Sequence, residues 1–165
     1  MDLKSKIILI SGPTASGKSK AALKIAKKLN GEIINADSMQ VYKELNILTA
    51  SPSKIDLNKI DHHLYGFRSV KKEFSSGEWL KLAKKNIKKI RDKNKIPVLV
   101  GGTGLYFKAL TDGLVKIPKI PISVRDKIRR IQNKLGQKKF YLKLLKNDPL
   151  VKNKIDPTDV QRSIR

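Results

Sequence analysis

The feature that most constrains this chain is a glycine motif near its amino end, Gly12-Pro13-Thr14-Ala15-Ser16-Gly17-Lys18-Ser19. The motif fits the pattern G-x-x-x-x-G-K-S/T at every fixed position. A short β-branched run, Lys6 to Ile10, precedes it and predicts a buried strand. The apolar residues that follow the motif recur at helical spacing: Ala21, Ala22, Ile25, Ala26 and Leu29. Strand, glycine turn and helix in this order predict a phosphate-binding loop within an α/β fold.

The residue types of the motif explain how such a loop would bind phosphate. Its glycines let backbone N–H groups curl around an anion at the amino end of a helix, where the helix dipole also favours negative charge. Lys18 adds a positive charge against the terminal oxygens, and the Ser19 hydroxyl can bind Mg²⁺. A glycine turn that only allowed tight packing would not need Lys18. We therefore predict that all eight residues bind a diphosphate or a nucleotide.

Strands and helices alternate along the first two thirds of the chain. Lys43 to Lys59 is predicted to be mostly loop with one helical turn, whereas Ser75 and Glu78 fit a capping box at the start of a long helix. Further strands are predicted at three places: Glu32 to Ala36, His62 to Phe67 and Ile96 to Val100. This alternation predicts a parallel sheet flanked by helices. Ligands collect at the carboxyl ends of such strands, where the turns around Gly12, Asp37 and Gly101 fall.

The chain changes character beyond Gly113. Pro118 and Pro121 suggest a hinge, and four apolar residues then recur at helical spacing: Val124, Ile128, Ile131 and Leu135. Asp156 followed by Pro157 is typical of a helix start. We therefore predict an α/β core over 1–113, a small helical insertion over 114–156, and a helix that returns to the core over 157–165.

Composition excludes several classes of protein. Cys is absent, which rules out disulfides, Cys-ligated zinc and a Cys nucleophile. The longest apolar run near the amino end, Ile7 to Ile10, is too short for a signal peptide or a membrane span, so we expect a cytoplasmic protein without a membrane partner. The 37 Lys and Arg residues outnumber the 14 Asp and Glu residues and give a net charge of +23. Nucleic acid is the first partner that such a charge indicates.

The sequence lacks a carboxylate where nucleotide hydrolases usually carry one for the metal. The strand Pro97 to Val100 runs into Gly101-Gly102, with no acidic residue at its end. The nearest candidate is Asp37, which follows another strand. From its position alone, Asp37 could be a metal ligand, an acid or base, or an N-cap of the next turn.

Several separated motifs together resemble one known family. Beside the glycine loop, the main ones are Asn35-Ala36-Asp37-Ser38-Met39-Gln40-Val41-Tyr42 and Val100-Gly101-Gly102-Thr103-Gly104-Leu105-Tyr106. Asp61-His62-His63-Leu64, Asp156-Pro157 and Gln161-Arg162 add weaker matches. Across almost its whole length, the chain resembles the tRNA dimethylallyltransferases, also called isopentenyl-diphosphate:tRNA transferases. That family is usually near twice this length, so we expect an amino-terminal portion.

The resemblance implies a prenyl transfer within a P-loop NTPase-like core. The family moves a dimethylallyl group from dimethylallyl diphosphate to N6 of the adenine next to the anticodon of tRNA, on its 3′ side. By resemblance, the loop holds the diphosphate with Mg²⁺ bound at Ser19. Asp37 accepts the N6 proton, and Thr14 and Lys18 lie at the reaction centre. The anticodon stem-loop would contact the helical insertion and the following residues: Asp37, Ser38, Met39, Gln40, Thr103, Arg125, Gln161, Arg162, Ser163, Ile164 and Arg165.

Other functions share parts of this pattern. An adenylate dimethylallyltransferase would use the same donor on a free nucleotide, although the net charge favours a polymer as acceptor. A small-molecule P-loop kinase would need an arginine-rich lid, and the chain has only 7 Arg. A non-catalytic RNA-binding module could grip backbone phosphate with the same loop. We expect a monomer, a structural role for the adjacent His62 and His63, and core packing for Tyr106, Phe107, Phe140 and Tyr141.

Overall fold

The computed structural model describes residues 6–115 and 120–165. The chain divides into two compact units, Met1–Val115 and Lys116–Arg165. The predicted hinge residue Pro118 lies outside the described residues, whereas Pro121 directly precedes a helix. The boundaries inferred from the sequence, at 113 and 156, stay predictions.

The first unit alternates strands and helices. Its strands are β1 (Ile8–Ser11), β2 (Gly31–Asn35), β3 (His62–His63) and β4 (Ile96–Gly101). Its helices are α1 (Lys18–Lys28), α2 (Lys54–Lys59), α3 (Ser76–Asp92) and α4 (Gly104–Thr111), with a short 3-10 turn at Lys43–Leu45. The predicted capping box is present at the start of α3, where the Ser75 side chain accepts from the Glu78 backbone N–H.

All four strands are parallel and lie in the order β1-β4-β2-β3. Leu99 of β4 pairs with Leu9 on one side and with Ile34 on the other. Because β4 lies between β1 and β2, the turns that follow these three strands meet at one edge of the sheet. The predicted P-loop NTPase-like α/β architecture is confirmed.

The core forms two apolar layers, one on each face of the sheet. Successive strand residues point to opposite faces, so Ile33 and Val98 pack against α1 while Ile34 and Leu99 pack on the other side. The α1 layer contains the small residues Ala22 and Ala26, which let the helix approach the sheet closely. The opposite layer contains the α3 residues predicted from their spacing: Trp79, Ala83, Ile87 and Ile90.

The second unit is helical. It contains α5 (Ile122–Leu135), α6 (Gln137–Asn147), a 3-10 turn at Pro149–Asn153 and α7 (Val160–Ser163). Gly136 joins α5 to α6 with a φ of 72°, a conformation that favours glycine. Phe140 and Tyr141 are buried, and the Tyr141 hydroxyl donates to the Ile155 carbonyl oxygen at 3.0 Å. The predicted helical module is therefore present.

Two local predictions differ from the structure. Strand β3 has two residues rather than the predicted six, because Leu64 and Gly66 adopt positive φ angles and end the pairing. The segment Lys43 to Lys59, predicted to be mostly loop with one helical turn, contains the 3-10 turn and the short helix α2, which Ser53 caps, in keeping with that prediction.

The last helix does not start at Asp156 and Pro157. Asp156 instead accepts hydrogen bonds from the backbone N–H and the hydroxyl of Thr158, at 2.7 and 2.6 Å, and so closes a turn. Asp159 is the N-cap of α7 and accepts from the Arg162 backbone N–H at 2.9 Å. Asp156 and Asp159 are both suitable N-cap residues for this helix. The sequence pattern favoured Asp156, which was wrong.

Among residues 6–115 and 120–165, no helix is long and apolar enough to cross a membrane.

Candidate active site

The glycine loop joins β1 to α1 in a conformation that leaves backbone donors at the start of the helix. Ala15 and Gly17 have φ angles of 64° and 79°, both in the left-handed region. Such a conformation at a non-glycine residue costs energy and is typical of functional loops. Gly17 precedes α1 without any side-chain cap, and the first turn of α1 carries no acidic residue. An anion is the partner that these N–H groups and the helix dipole favour.

Lys18 lies across this loop. Its Nζ donates to the Pro13 carbonyl oxygen at 2.9 Å, so the ammonium is held over the loop rather than extended into solvent. One hydrogen bond uses one of its three donors. Ser19, the next residue, is exposed on the first turn of α1. The pair therefore presents a cation and a hydroxyl oxygen at the same helix end.

The turn after β4 lies between the glycine loop and Asp37. A Cβ at Gly101 would clash with the Ala36 carbonyl group, so only glycine fits beside β2. A Cβ at Gly102 would lie 3.5 Å from the Gly12 carbonyl oxygen and 3.6 Å from Asp37 Oδ2. The three turns predicted to line the site thus converge at Gly102.

The two carboxylate oxygens of Asp37 have different surroundings. Oδ1 accepts a hydrogen bond from the Met39 backbone N–H at 2.9 Å, which is the capping role that its position suggested. Oδ2 is the carboxylate oxygen that lies 3.6 Å from the position of a Cβ on Gly102, and no described residue donates to it. One oxygen therefore holds the side chain in place while the other faces the turn beside the glycine loop.

Asn35 positions Asp37, and sequence reasoning missed this role. It is fully buried at the end of β2, where Oδ1 accepts from the Asp37 N–H at 2.8 Å and Nδ2 donates to the carbonyl oxygens of Asp37 and Leu64. The Asn35 carbonyl oxygen accepts from Trp79 Nε1 at 2.8 Å. An amide in an otherwise apolar strand was the signal that could have identified it.

The residues around Asp37 form a connected network. Thr103 Oγ1 accepts from the Ser38 backbone N–H at 2.9 Å, and the Thr103 N–H donates to the Ala36 carbonyl oxygen. Met39 is half-exposed, whereas the Gln40 amide points back and donates to the Thr49 carbonyl oxygen at 2.8 Å. The structure thus brings together Asp37, Ser38 and Thr103, whereas the Gln40 side chain is hydrogen-bonded to the segment after the 3-10 turn.

The remaining predicted tRNA contacts lie in the second unit. A cavity of about 210 Å³ there is lined by four of them: Arg125, Gln161, Ile164 and Arg165. Ser163 is buried, and its hydroxyl donates to the Asp159 carbonyl oxygen. Arg162 Nε lies 3.5 Å from Asp159 Oδ2.

Tyr106, His62 and His63 contact other residues within the fold. Tyr106 is buried and stacks on Trp79 with ring centroids 4.3 Å apart, and burial raises the pKa of its phenol to about 12. His62 Nδ1 shares a 2.7 Å hydrogen bond with the Ile60 carbonyl oxygen, and burial lowers the pKa of its ring. His63 Nε2 lies 2.7 Å from Glu32 Oε2. In the described part of the chain, no cluster of three His, Cys, Asp or Glu residues could hold a metal.

A parallel sheet, helices on both faces and a glycine loop after the first strand define an α/β protein of the phosphate-binding-loop class. A family model described as IPP transferase matches residues 40–165. The chain therefore belongs to the IPP transferase family, and the resemblance inferred from its motifs is confirmed.

Similar proteins cover this chain almost completely. It is 65% identical over 165 residues to the tRNA dimethylallyltransferase of Pelagibacter ubique, of which it covers 53%. It is 49% identical over 162 residues, 98% of its length, to the tRNA dimethylallyltransferase of Rickettsia canadensis, of which it covers 50%. A solved eukaryotic dimethylallyltransferase acting on tRNA has a TM-score of 0.81 and 32% identity, over 96% of this chain and 40% of that one. The chain spans about half the length of the curated relatives it matches.

Proposed function

We propose that this chain is the donor-binding portion of a tRNA dimethylallyltransferase. The enzyme would move a dimethylallyl group from dimethylallyl diphosphate to N6 of the adenine on the 3′ side of the anticodon. The observation that carries the proposal is the close approach of Gly12 and Asp37 Oδ2 at Gly102. The leaving diphosphate, bound by the glycine loop, and the base for the acceptor amine would then both lie next to Gly102.

The loop side suits departure of a diphosphate. As the carbon–oxygen bond of the donor breaks, its electron pair moves onto the diphosphate, whose negative charge increases. Donors held in place before the reaction stabilise such charge without reorganising. The N–H groups at the start of α1 and the Lys18 ammonium would do so, and Thr14 is exposed at the tip of the same loop.

The donor set fits Mg²⁺, a hard cation that prefers oxygen ligands. Ser19 provides an exposed hydroxyl oxygen on the first turn of α1, beside the place proposed for the diphosphate oxygens. We propose that Ser19 holds the ion together with the donor itself. When bound, Mg²⁺ would neutralise charge on the leaving diphosphate.

Asp37 suits the acceptor side. The adenine N6 amine is a weak nucleophile because its lone pair is delocalised into the ring, so it needs a base as the carbon–nitrogen bond forms. Asp37 Oδ2 would accept the N6 proton. The bonds that Asn35 and Met39 make with Asp37 would keep that oxygen aimed at the reaction centre.

The proposal extends to the polymer partner. The net charge of +23 suits a phosphate backbone, and five of the predicted contacts are exposed: Met39, Arg125, Gln161, Arg162 and Arg165. We propose that tRNA contacts the residues named above, from Asp37 to Gln40, at Thr103 and Arg125, and from Gln161 to Arg165. We further propose that the protein is a cytoplasmic monomer. Residues 114–156 would contact the anticodon stem-loop.

A transfer assay tests this function. The chain would be extended to the length of its relatives with the carboxyl-terminal half of the Pelagibacter ubique protein, and labelled dimethylallyl diphosphate would be reacted with tRNA in single turnovers. Asp37→Asn keeps the shape and the hydrogen bond to Met39 but removes the base. We expect the transfer rate to fall roughly a hundredfold or more, the lower range for general-base catalysis.

The matched control is Asp92→Asn, which changes an exposed carboxylate at the end of α3. It should leave the rate unchanged. A near-wild-type rate for Asp37→Asn would reduce Asp37 to a cap, and absence of transfer by the unsubstituted protein would remove the proposed function.

A further inference from the structure

The indole of Trp79 lies at the carboxyl end of β2, where the candidate site is. Trp79 is near the start of α3 and is fully buried. Its Nε1–H donates to the Asn35 carbonyl oxygen at 2.8 Å. The other end of α3 lies at the amino end of β2, because Lys93, the residue that follows the helix, pairs with Glu32. The start of α3 is therefore the part of this helix that contacts the site.

The indole N–H leads to Asp37 through a single residue. Asn35 is fully buried, and its side-chain amide bonds to Asp37 twice: Oδ1 accepts from the Asp37 N–H at 2.8 Å, and Nδ2 donates to the Asp37 carbonyl oxygen at 2.9 Å. Trp79 thus holds the main chain of the residue whose side chain holds the main chain of Asp37. Buried hydrogen bonds connected in this way strengthen one another.

The face of the same indole leads to the turn on the other side of Asp37. It stacks on Tyr106 of α4, with ring centroids 4.3 Å and ring planes 11° apart. The Tyr106 backbone N–H donates to the Thr103 carbonyl oxygen at 2.9 Å, and Thr103 Oγ1 accepts from the Ser38 N–H at 2.9 Å. The two segments that carry Asp37 and Thr103 are therefore both supported by one side chain.

Core packing alone does not require an indole at position 79. A phenylalanine ring would also be apolar and could also stack on Tyr106. The indole differs in its N–H, a donor that needs a partner when it is buried. Here that partner is the Asn35 carbonyl oxygen. A displacement of about 1 Å at a reacting group can cost roughly a hundredfold in rate, so a bond that fixes Asn35 can affect the reaction at Asp37.

We propose that Trp79 is a positioning residue for the base. Its N–H fixes the Asn35 carbonyl group, and Asn35 in turn fixes the direction of the Asp37 carboxylate. The inference rests on the proposed function, since it needs Asp37 as the base. Donor binding should not depend on this bond, because α3 and the helix that follows the glycine loop pack on opposite faces of the sheet.

Single-turnover transfer by the extended protein described above tests this inference. Trp79→Phe keeps an aromatic ring for stacking and removes the N–H. We expect the transfer rate to fall roughly tenfold, less than the hundredfold that a 1 Å displacement can cost. The affinity for dimethylallyl diphosphate with Mg²⁺, measured by calorimetry, should be unchanged. The control is Ile90→Val, which removes one methyl group from the same core layer and should leave the rate unchanged.

The same substitution in the Asp37→Asn background separates positioning from stability. If Trp79 acts through Asp37, Trp79→Phe should cause no further decrease there, since no base remains to be positioned. An equal decrease in both backgrounds would overturn the inference. So would a wild-type rate in Trp79→Phe, or a loss in Ile90→Val as large as that in Trp79→Phe. These results would leave the proposed function intact.

A second replacement keeps the inference testable if Trp79→Phe does not fold. Benzothienylalanine at position 79 keeps both rings of the indole and replaces only the N–H by sulfur. The same tenfold decrease in rate is expected, whereas a wild-type rate would overturn the inference. Absence of transfer by the unsubstituted extended protein would remove the proposed function and this inference together.

Discussion

The two ends of the parallel sheet are built from opposite chemistry. At the carboxyl ends of β1, β2 and β4, the turns after the three strands approach each other closely at Gly102, and Asp37 Oδ2 has no donor among the described residues. At the amino end of β2, Glu32 is fully buried, and its carboxylate lies within 3.0 Å of Lys93, Lys95 and His63. The difference shows that a buried ionic cluster with a shifted pKa does not by itself mark the reactive centre.

The Glu32 cluster holds three chain segments together. Burial alone would raise the pKa of Glu32, but hydrogen bonds from Lys95, His63 and Lys93 outweigh it and lower the pKa to about 2. These partners come from β3 and from the connection between α3 and β4. We interpret this end as the one that stabilises the fold, and the glycine-rich end as the one that binds and reacts.

The largest expected effect is the loss of donor binding in Lys18→Ala. Without the Lys18 ammonium, the diphosphate charge would be compensated only by the backbone dipoles of the loop and by the Mg²⁺ proposed at Ser19. We expect the affinity for dimethylallyl diphosphate to fall more than a hundredfold, to below detection by calorimetry, with thermal unfolding unchanged. Lys20→Ala, an exposed lysine of the same helix, should bind normally. Equal affinities of wild type and Lys18→Ala would remove the loop from the binding site.

The second expected effect is a loss of stability, without loss of binding, in Glu32→Gln. The substitution removes the charge that pairs with Lys93 and Lys95 in a fully buried position. Because both lysines are partly exposed, we expect a decrease in the free energy of unfolding of about 2 kcal/mol rather than the larger cost of an isolated buried charge. Urea denaturation measures it, with the exposed Glu73→Gln as control. A change in the free energy of donor binding that exceeds the change in the free energy of unfolding would contradict the assignment of stability to the Glu32 end of the sheet and of binding to the glycine-rich end.

The smallest expected effect is the acid dependence of that same stability. The pKa of Glu32 is lowered on folding from 4.5 to about 2, so its contribution is fully present above pH 4.5 and is lost as the pH falls towards 2. The stability difference between wild type and Glu32→Gln should therefore shrink over this interval. Urea denaturation at pH 6, 4 and 3 measures it. A difference that stayed constant down to pH 3 would show that the charge of Glu32 does not stabilise the fold.

The sequence predicted those features that depend on local chemistry. The glycine loop, the capping box at Ser75 and the apolar face of α3 follow from residues close together in the chain, and the structure has all three. The parallel sheet followed from alternation of strands and helices. The order of its strands did not, because the insertion of β4 between β1 and β2 depends on contacts between distant segments.

The details of the site needed that strand order. Gly102 lies between Gly12 and Asp37 only because β4 occupies the central position. The buried amide of Asn35 and the link from Gln40 to Thr49 likewise depend on how turns fold back in space. The sequence pattern also gave a wrong prediction where two residues could be the same N-cap. It favoured Asp156 at the start of α7, whereas the structure has Asp159 there.

Thermal unfolding with and without donor tests the division between the two ends most directly. A ligand that binds only the folded state raises its unfolding temperature, so the shift on adding dimethylallyl diphosphate and Mg²⁺ reports binding separately from intrinsic stability. Wild type and Glu32→Gln should start at different temperatures and rise by similar intervals. Lys18→Ala should start at the wild-type temperature and not rise. A wild-type shift in Lys18→Ala, or loss of the shift in Glu32→Gln, would contradict the assignment of binding to the glycine-rich end.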